Sequence, residues 1–420
     1  MKQQSIQTIQ ADEILDSRGN PTVEAIVTLA SGEQGSASVP SGASIGQYED
    51  LELRDGDPQR YNGKGVLQAC SHITDTILPA LKGKDVHDQE TLDRTMIDLD
   101  GTPNKSKLGA NAILAVSLAC ARAGSETERI PLYQYLRVRY QREDTSVVLP
   151  IPMLNIINGG RHADNGLDFQ EYMILPHAPT FMERMRKGAE IYMELGSLLK
   201  SKNHSTLTGD EGGFAPRLKN NTDPLDLLAE AIGRTPYRFG KDVTFGLDIA
   251  ASEFSIPQKQ QYFLALEHKM VSADDLINRY AELKQNYPIT SIEDGLSEDD
   301  WEGWARMTER LHESMLIIGD DLFVTNREKL ERGVKEHVAY AILVKLNQVG
   351  TLTETMETIA LAQSKGYVPV ISHRSGETTD AFIADLAVAV NAPYIKAGAV
   401  ARGERLAKYN RLIEIEASLR

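Results

Sequence analysis

The sequence predicts an α/β fold: a (β/α)8 barrel preceded by an α+β domain. Three observations lead there. Residues 12–40 alternate apolar and polar positions, and segments of helical period follow them. Further along, short β-rich runs each end in a charged residue and lead into helical stretches of one or two dozen residues. Those charged ends recur at intervals of 45, 27, 25, 29 and 22 residues, near the pitch of one strand plus one helix in such a barrel.

The first region reads as a small antiparallel sheet because turn signals, DSRGNPT at 16–22 and ASGEQG at 30–35, punctuate the alternation. Helices are expected over 66–81, 89–98 and 110–123, separated by Gly, Pro and Asn. Strands followed by helices make an α+β unit. The charged run RVRYQREDTS at 137–146 is the candidate linker, which divides the chain into a capping domain at 1–137 and a barrel domain at 138–420.

With 420 residues, 41% hydrophobic and 25% charged, the chain can bury more than one core, and disorder is excluded. The opening MKQQSIQTIQ has neither the basic segment nor the apolar run of a signal peptide, and no stretch is long enough to span a bilayer. A cytoplasmic location is therefore expected. Cys70 and Cys120 are the only cysteines, and Cys120 lies in a small-residue helical run that suits a buried thiol. A formal charge of −15 argues against nucleic acid as a partner. A small anionic substrate then needs a locally positive site.

In the barrel, VTFGLD ends at Asp248, ITSIE at Glu293, MLIIGD at Asp320, AILVK at Lys345, VPVISHR at Arg374 and APYIK at Lys396. A doubly wound open sheet is the competing fold. In a barrel the carboxyl ends of the strands converge on one mouth, so Asp248, Glu293 and Asp320 would meet there. Each acid alone is readable as a solvated residue or a helix cap. Three at barrel pitch point to a cation, because crowded carboxylates need neutralising charge. Oxygen donors without His or Cys suit Mg²⁺ or Mn²⁺.

Lys345 ends an apolar strand beside that site, where a cation and partial desolvation would disfavour its ammonium form and make it a general base; a structural ion pair is the plainer alternative. Glu211, in TGDEGGFAP with Asp210 beside it, is a candidate acid or an incidental turn residue. His373, Arg374 and Ser375 in SHRSGET, with Lys396, resemble an anion site at a helix N-terminus, or an ordinary N-cap. SGASIG at 41–46 is a small-residue segment that reads most simply as a turn.

Taken in order, DSRGNPTVEA, PSGASIG, MIDLDGTPNKSKLGANAILAVSLA, NIINGGRHADN, GDEGGFAP, LDIAASEF, SIEDGL, GDDLFVTN, ILVKLNQVGTLTET, ISHRSGET and RLAKYNRLIEIE resemble the enolase family from about residue 11 to the C-terminus. The resemblance implies an α+β cap on a modified barrel of ββαα(βα)6 pattern, and dehydration of 2-phosphoglycerate to phosphoenolpyruvate. It implies Lys345 as the base at C2 and Glu211 as the acid for the departing hydroxyl. Asp248, Glu293 and Asp320 match ligands of a first Mg²⁺, and Ser44 matches a ligand of a second, giving two per active site. His162, Gln170, Glu171, His373, Arg374, Ser375 and Lys396 match substrate-contacting positions. A small phosphorylated carboxylate and a homodimer or higher homo-oligomer are the partners implied. A lysine base with Mg²⁺ is a known pattern of the superfamily.

Three positions depart from the family's pattern. Ile45 stands where Thr is usual, Ala397 follows Lys396 where Thr is usual, and Arg161 adds a cation beside His162. All border the ligand, so they bear on substrate choice. A paralogue acting on a phosphonate or carboxylated relative of phosphoenolpyruvate is one alternative, and a non-catalytic binding or structural protein on the same fold is another.

Overall fold

The computed structural model describes residues 3–42, 48–142 and 145–420. Three antiparallel strands, β1 (Ile6–Leu15), β2 (Pro21–Leu29) and β3 (Gln34–Ser38), form the first sheet in sequence order. The β1–β2 turn is fixed by Asp16, whose Oδ1 accepts the amides of Arg18 and Asn20, each at 2.8 Å. The sheet starts six residues before the expected alternation. A register shift between Ile6 and Thr8 breaks the two-residue period there and hides the strand from pattern reading.

Helical segments then run from Leu67 to Leu81 with a π turn at Ile73–Ile77, and over Gln89–Asp100 and Ala110–Glu128. The last is small-residue and buried almost all round because β2 and β3 pack on one side of it and helices on others. One further helix, Leu132–Arg139, occupies the start of the segment expected to be a linker. It enters that segment by three residues, where Arg137 is buried, donating to Asn391 Oδ1 at 3.2 Å and to Thr145 Oγ1 at 2.9 Å.

The second region is a closed eight-stranded barrel. Its strands are β4 (Ile151–Asn158), β5 (Glu171–Pro176) and β6 (Val243–Asp248), then, after a small sheet of β7 (Ser255–Ile256), β8 (Gln261–Leu264) and β9 (Lys269–Val271), β10 (Ile289–Glu293), β11 (Leu316–Gly319), β12 (Ala341–Val344), β13 (Val368–Ser372) and β14 (Tyr394–Lys396). The small sheet fills the long first interval of the charge rhythm. Strand β5 runs antiparallel to both neighbours, whereas the other barrel pairs are parallel. Helices Phe181–Ser201 and Asp223–Gly233 separate β5 from β6, so the order is ββαα(βα)6. Met153, Met173, Leu175, Ile318, Ala341, Leu343 and Val370 fill the barrel as a core of their own.

The reversal of β5 has a direct consequence. Its first residue, Glu171, pairs with Asn158 and Asp248 at the carboxyl ends of β4 and β6, and so joins the mouth. The first sheet and helices cap that end: Ser41 N donates to Gly376 O at 2.7 Å, Ser17 N to Glu377 O at 2.7 Å, and Arg122 grips Asp380 at 2.6 Å. Among the described residues no helix is long and apolar enough to cross a membrane.

Candidate active site

A pocket of about 480 Å³ opens at the mouth, lined by His162, Gln170, Glu171, Glu211, Asp248, Asp320, Lys345, His373, Arg374, Ser375 and Lys396. Its position follows from the barrel, since successive parallel strands all end there. Asp248, Glu293 and Lys396 are the last residues of β6, β10 and β14, while Asp320 and Lys345 follow β11 and β12 directly. The structure thus brings together every candidate residue except Ser44, which with Ile45 lies outside the described residues.

Two lysines compensate the carboxylates. Lys396 Nζ lies 3.0 Å from Asp248, 2.8 Å from Glu293 and 3.2 Å from Glu171. Burial alone would lower this ammonium's pKa, yet the three carboxylates hold it well above the usual lysine value. Glu293 is pushed well above the carboxylate range by burial and then by Asp248. Lys345 Nζ pairs with Asp320 Oδ2 at 2.5 Å. The sequence expectation of a depressed Lys345 rested on a neighbouring cation as well as on burial; the protein's own groups by themselves oppose it. Burial does favour the neutral amine, but Asp320 outweighs it and holds the ammonium above its ordinary pKa.

Opposite chemistry gathers around Glu211. Its loop approaches the barrel so closely that Gly212, at φ +88°, would set a Cβ 2.9 Å from Ala401 O. Asn155, inward-facing on β4, donates to Glu211 Oε2 at 2.9 Å. His373 Nε2 stands 3.3 Å from the same oxygen, and His162 Nδ1 lies 3.7 Å from Glu211 Oε1 and 3.4 Å from Glu171 Oε1. Burial and the Glu211 charge push Glu171 well above its usual range, whereas at Glu211 burial is outweighed by His162, His373 and Arg405, which hold it well below, so a proton shared by the two carboxyls rests on Glu171. Burial pushes both imidazoles down, His373 to about 3, which leaves them neutral near pH 7.

The anion-facing side is built by the β13 loop. Arg374 is buried and forked onto Glu49, at 2.8 and 3.2 Å, and donates to Asn347 Oδ1 at 3.0 Å. Gln348 ties this side to the acids: its amide donates to Asp320 Oδ1 at 3.1 Å while Thr325 donates to its Oε1 at 2.6 Å. On the rim, Arg161 is 61% exposed and pairs with Glu253 at 2.5 Å, so its charge is already matched. Ala397 is buried behind Lys396.

The donors suit a hard cation. They are oxygen-rich, and Gln170 Oε1 is buried without a hydrogen-bond partner. Among the described residues, ligand atoms converge in two groups, His162 with Glu171 and Glu211, and Asp294 with Asp320 and Asp321. Of the expected trio only Asp320 joins either group, since Asp248 and Glu293 turn to Lys396.

Asn155, Gln348, Glu49 and Arg405 escaped the sequence reading. Asn155 was within reach as a polar position in the apolar run LPIPMLNIIN. Gln348 lies three residues past Lys345, one helical turn on. Nothing local marks Glu49 or Arg405, whose partners are hundreds and tens of residues distant.

A family model described as the enolase N-terminal domain matches residues 6–136, and one described as the enolase C-terminal TIM barrel domain matches residues 146–420. These matches make the protein an enzyme of the enolase superfamily, of lyase type. Because the larger match alone spans well over half of the sequence, and the barrel follows the ββαα(βα)6 order that the motifs implied, the chain belongs to the enolase family.

Proposed function

We propose that the protein dehydrates 2-phosphoglycerate to phosphoenolpyruvate. The observation that carries this reading is the joint presence, in one pocket, of the lysines Lys345 and Lys396, the adjoining carboxyls Glu171 and Glu211, and the buried Arg374. Lys345, once its proton has passed to solvent, takes the one on C2; Asp320, when it holds a cation, grips the ammonium less tightly and so favours the loss. Lys396, held cationic, faces the substrate oxygens that gain negative charge. The Glu171–Glu211 pair holds one proton, which rests on Glu171 and passes to Glu211 as the C3 hydroxyl leaves; Glu211 delivers it there, and the hydroxyl departs as water. Arg374, His373 and Ser375 hold the phosphate. Asp248, Glu293, Asp320 and Ser44 would hold two Mg²⁺, which supply positive charge against the enolate when bound.

A carboxylated or phosphonate substrate is the second reading, favoured by exposed Arg161 on the rim. Its pairing with Glu253 weighs against it. Absorbance growth from phosphoenolpyruvate with 2-phosphoglycerate and Mg²⁺, set beside the carboxylated and phosphonate analogues, tests the choice. Inertness toward 2-phosphoglycerate alongside turnover of an analogue would reject the first reading. A second copy of the chain is the partner proposed, to be checked by mass in solution.

A further inference from the structure

Arg405 itself lines neither the pocket nor the solvent surface, yet it bonds to both loops that build the site. It lies on the C-terminal helix Gly403–Ser418 and is fully buried. One terminal nitrogen donates to His373 Nδ1 at 2.7 Å and to Arg374 O at 2.6 Å. The other donates to Ser375 O at 2.6 Å and to Asp210 O at 3.1 Å. All four terminal N–H groups are thereby used. Gly398 makes room for this, since at φ +81° its Cβ would fall 2.8 Å from Arg405 Cδ and 2.9 Å from Glu211 O.

A guanidinium has no acceptor, so the His373 atom facing it must offer a lone pair. We propose that Arg405 is a positioning residue that locks His373 in its Nε2–H tautomer, and so prevents that imidazole from taking the proton that Glu211 must deliver. Free imidazole is a stronger base than a carboxylate by about two pKa units. Without Arg405, burial alone would restrain His373, 3.3 Å from Glu211 Oε2, from competing for that proton. With Nδ1 committed to Arg405 and Nε2 already carrying hydrogen, the imidazole has no site for one. The low pKa of His373 agrees with this arrangement.

The tautomer rests on geometry alone, and only its kinetic consequence rests on the dehydratase reading. The two fail separately because the spectroscopic test needs no substrate. Histidine-labelled protein with Mg²⁺ bound is examined by long-range ¹H–¹⁵N correlation, comparing wild type with Arg405→Met and Arg405→Lys. In wild type His373 Nδ1 should resonate as pyridine-type and Nε2 as pyrrole-type. Arg405→Met should lose that single-tautomer signature, and its kcat should fall about a hundredfold while KM moves less than about threefold. Arg405→Lys, which keeps one donor, should retain the tautomer and more of the turnover. A pyrrole-type Nδ1 in wild type, or an unchanged tautomer in Arg405→Met, would overturn the proposal. If Arg405→Met does not fold, the wild-type spectrum and the lysine variant decide it.

Discussion

Lys396 Nζ lies 2.8 and 2.9 Å from the two carboxylate oxygens of Glu293, so one ammonium at the end of β14 spans a whole carboxylate at the end of β10, a strand it does not adjoin in the barrel. Asp248 and Glu171 share the same ammonium. Replacing Lys396 with Met would leave three buried acids without their common cation. Breaking a buried pair in this way costs about 3–5 kcal/mol. We expect Lys396→Met to unfold at lower denaturant than wild type by roughly that amount in chelator, with Mg²⁺ restoring part of the loss. Equal unfolding midpoints in chelator would show that Lys396 does not hold the acids.

Removal of divalent cations should stop turnover. The acids at the mouth face an anionic substrate, and the two lysines alone would have to offset both charges. Titrating chelator against activity and then adding back Mg²⁺ measures this, and full activity after rigorous metal removal would be the contrary result.

Proton exchange separates the base from the acid. Lys345→Ala should abolish exchange of the C2 proton with solvent, whereas Glu211→Gln should impair dehydration yet leave some exchange. Deuterium incorporation into 2-phosphoglycerate, read by NMR, distinguishes them. Normal exchange in Lys345→Ala would remove that residue from the role.

The pH dependence of stability should carry the mark of His373. Its folded pKa, about 3, lies below the ordinary 6.5, so between those values the unfolded chain binds a proton that the folded one does not. Stability from this group is complete above about pH 6.5 and is lost as pH falls toward about 3, at up to ~1.4 kcal/mol per pH unit. Subtracting the unfolding free energies of His373→Gln from those of wild type at each pH isolates it. A flat difference would contradict a buried neutral imidazole.

Gly398→Ala should be costly although it adds a single methyl group. The positive φ disfavours any side chain, and the new Cβ would meet Arg405 and the Glu211 backbone. A loss of about 1–3 kcal/mol is expected, together with a fall in kcat. Thermal melts beside kinetics on the same sample measure both, and a neutral substitution would mean that the Arg405 packing can relax.

The charge rhythm made the barrel legible because each parallel strand must end at the same mouth, and Asp248, Glu293, Asp320, Lys345 and Lys396 all stand within one residue of a strand end. Strand β1 was partly missed where its register slips, and the helix Leu132–Arg139 went unread, its last three residues lying in the charged run where Arg137 is buried despite its charge.

The sequence by itself determined the architecture, the residue types at the mouth and the family, since these rest on periodicity and on motifs carried locally along the chain. Tertiary structure alone decided how charge is shared. Asp320 wins the Lys345 ammonium at 2.5 Å, Glu171 enters the site because β5 runs backwards, and Arg405 fixes a histidine 32 residues away. Protonation depends on distances of a few ångströms and on burial, and neither quantity is written in the spacing of residues along a chain.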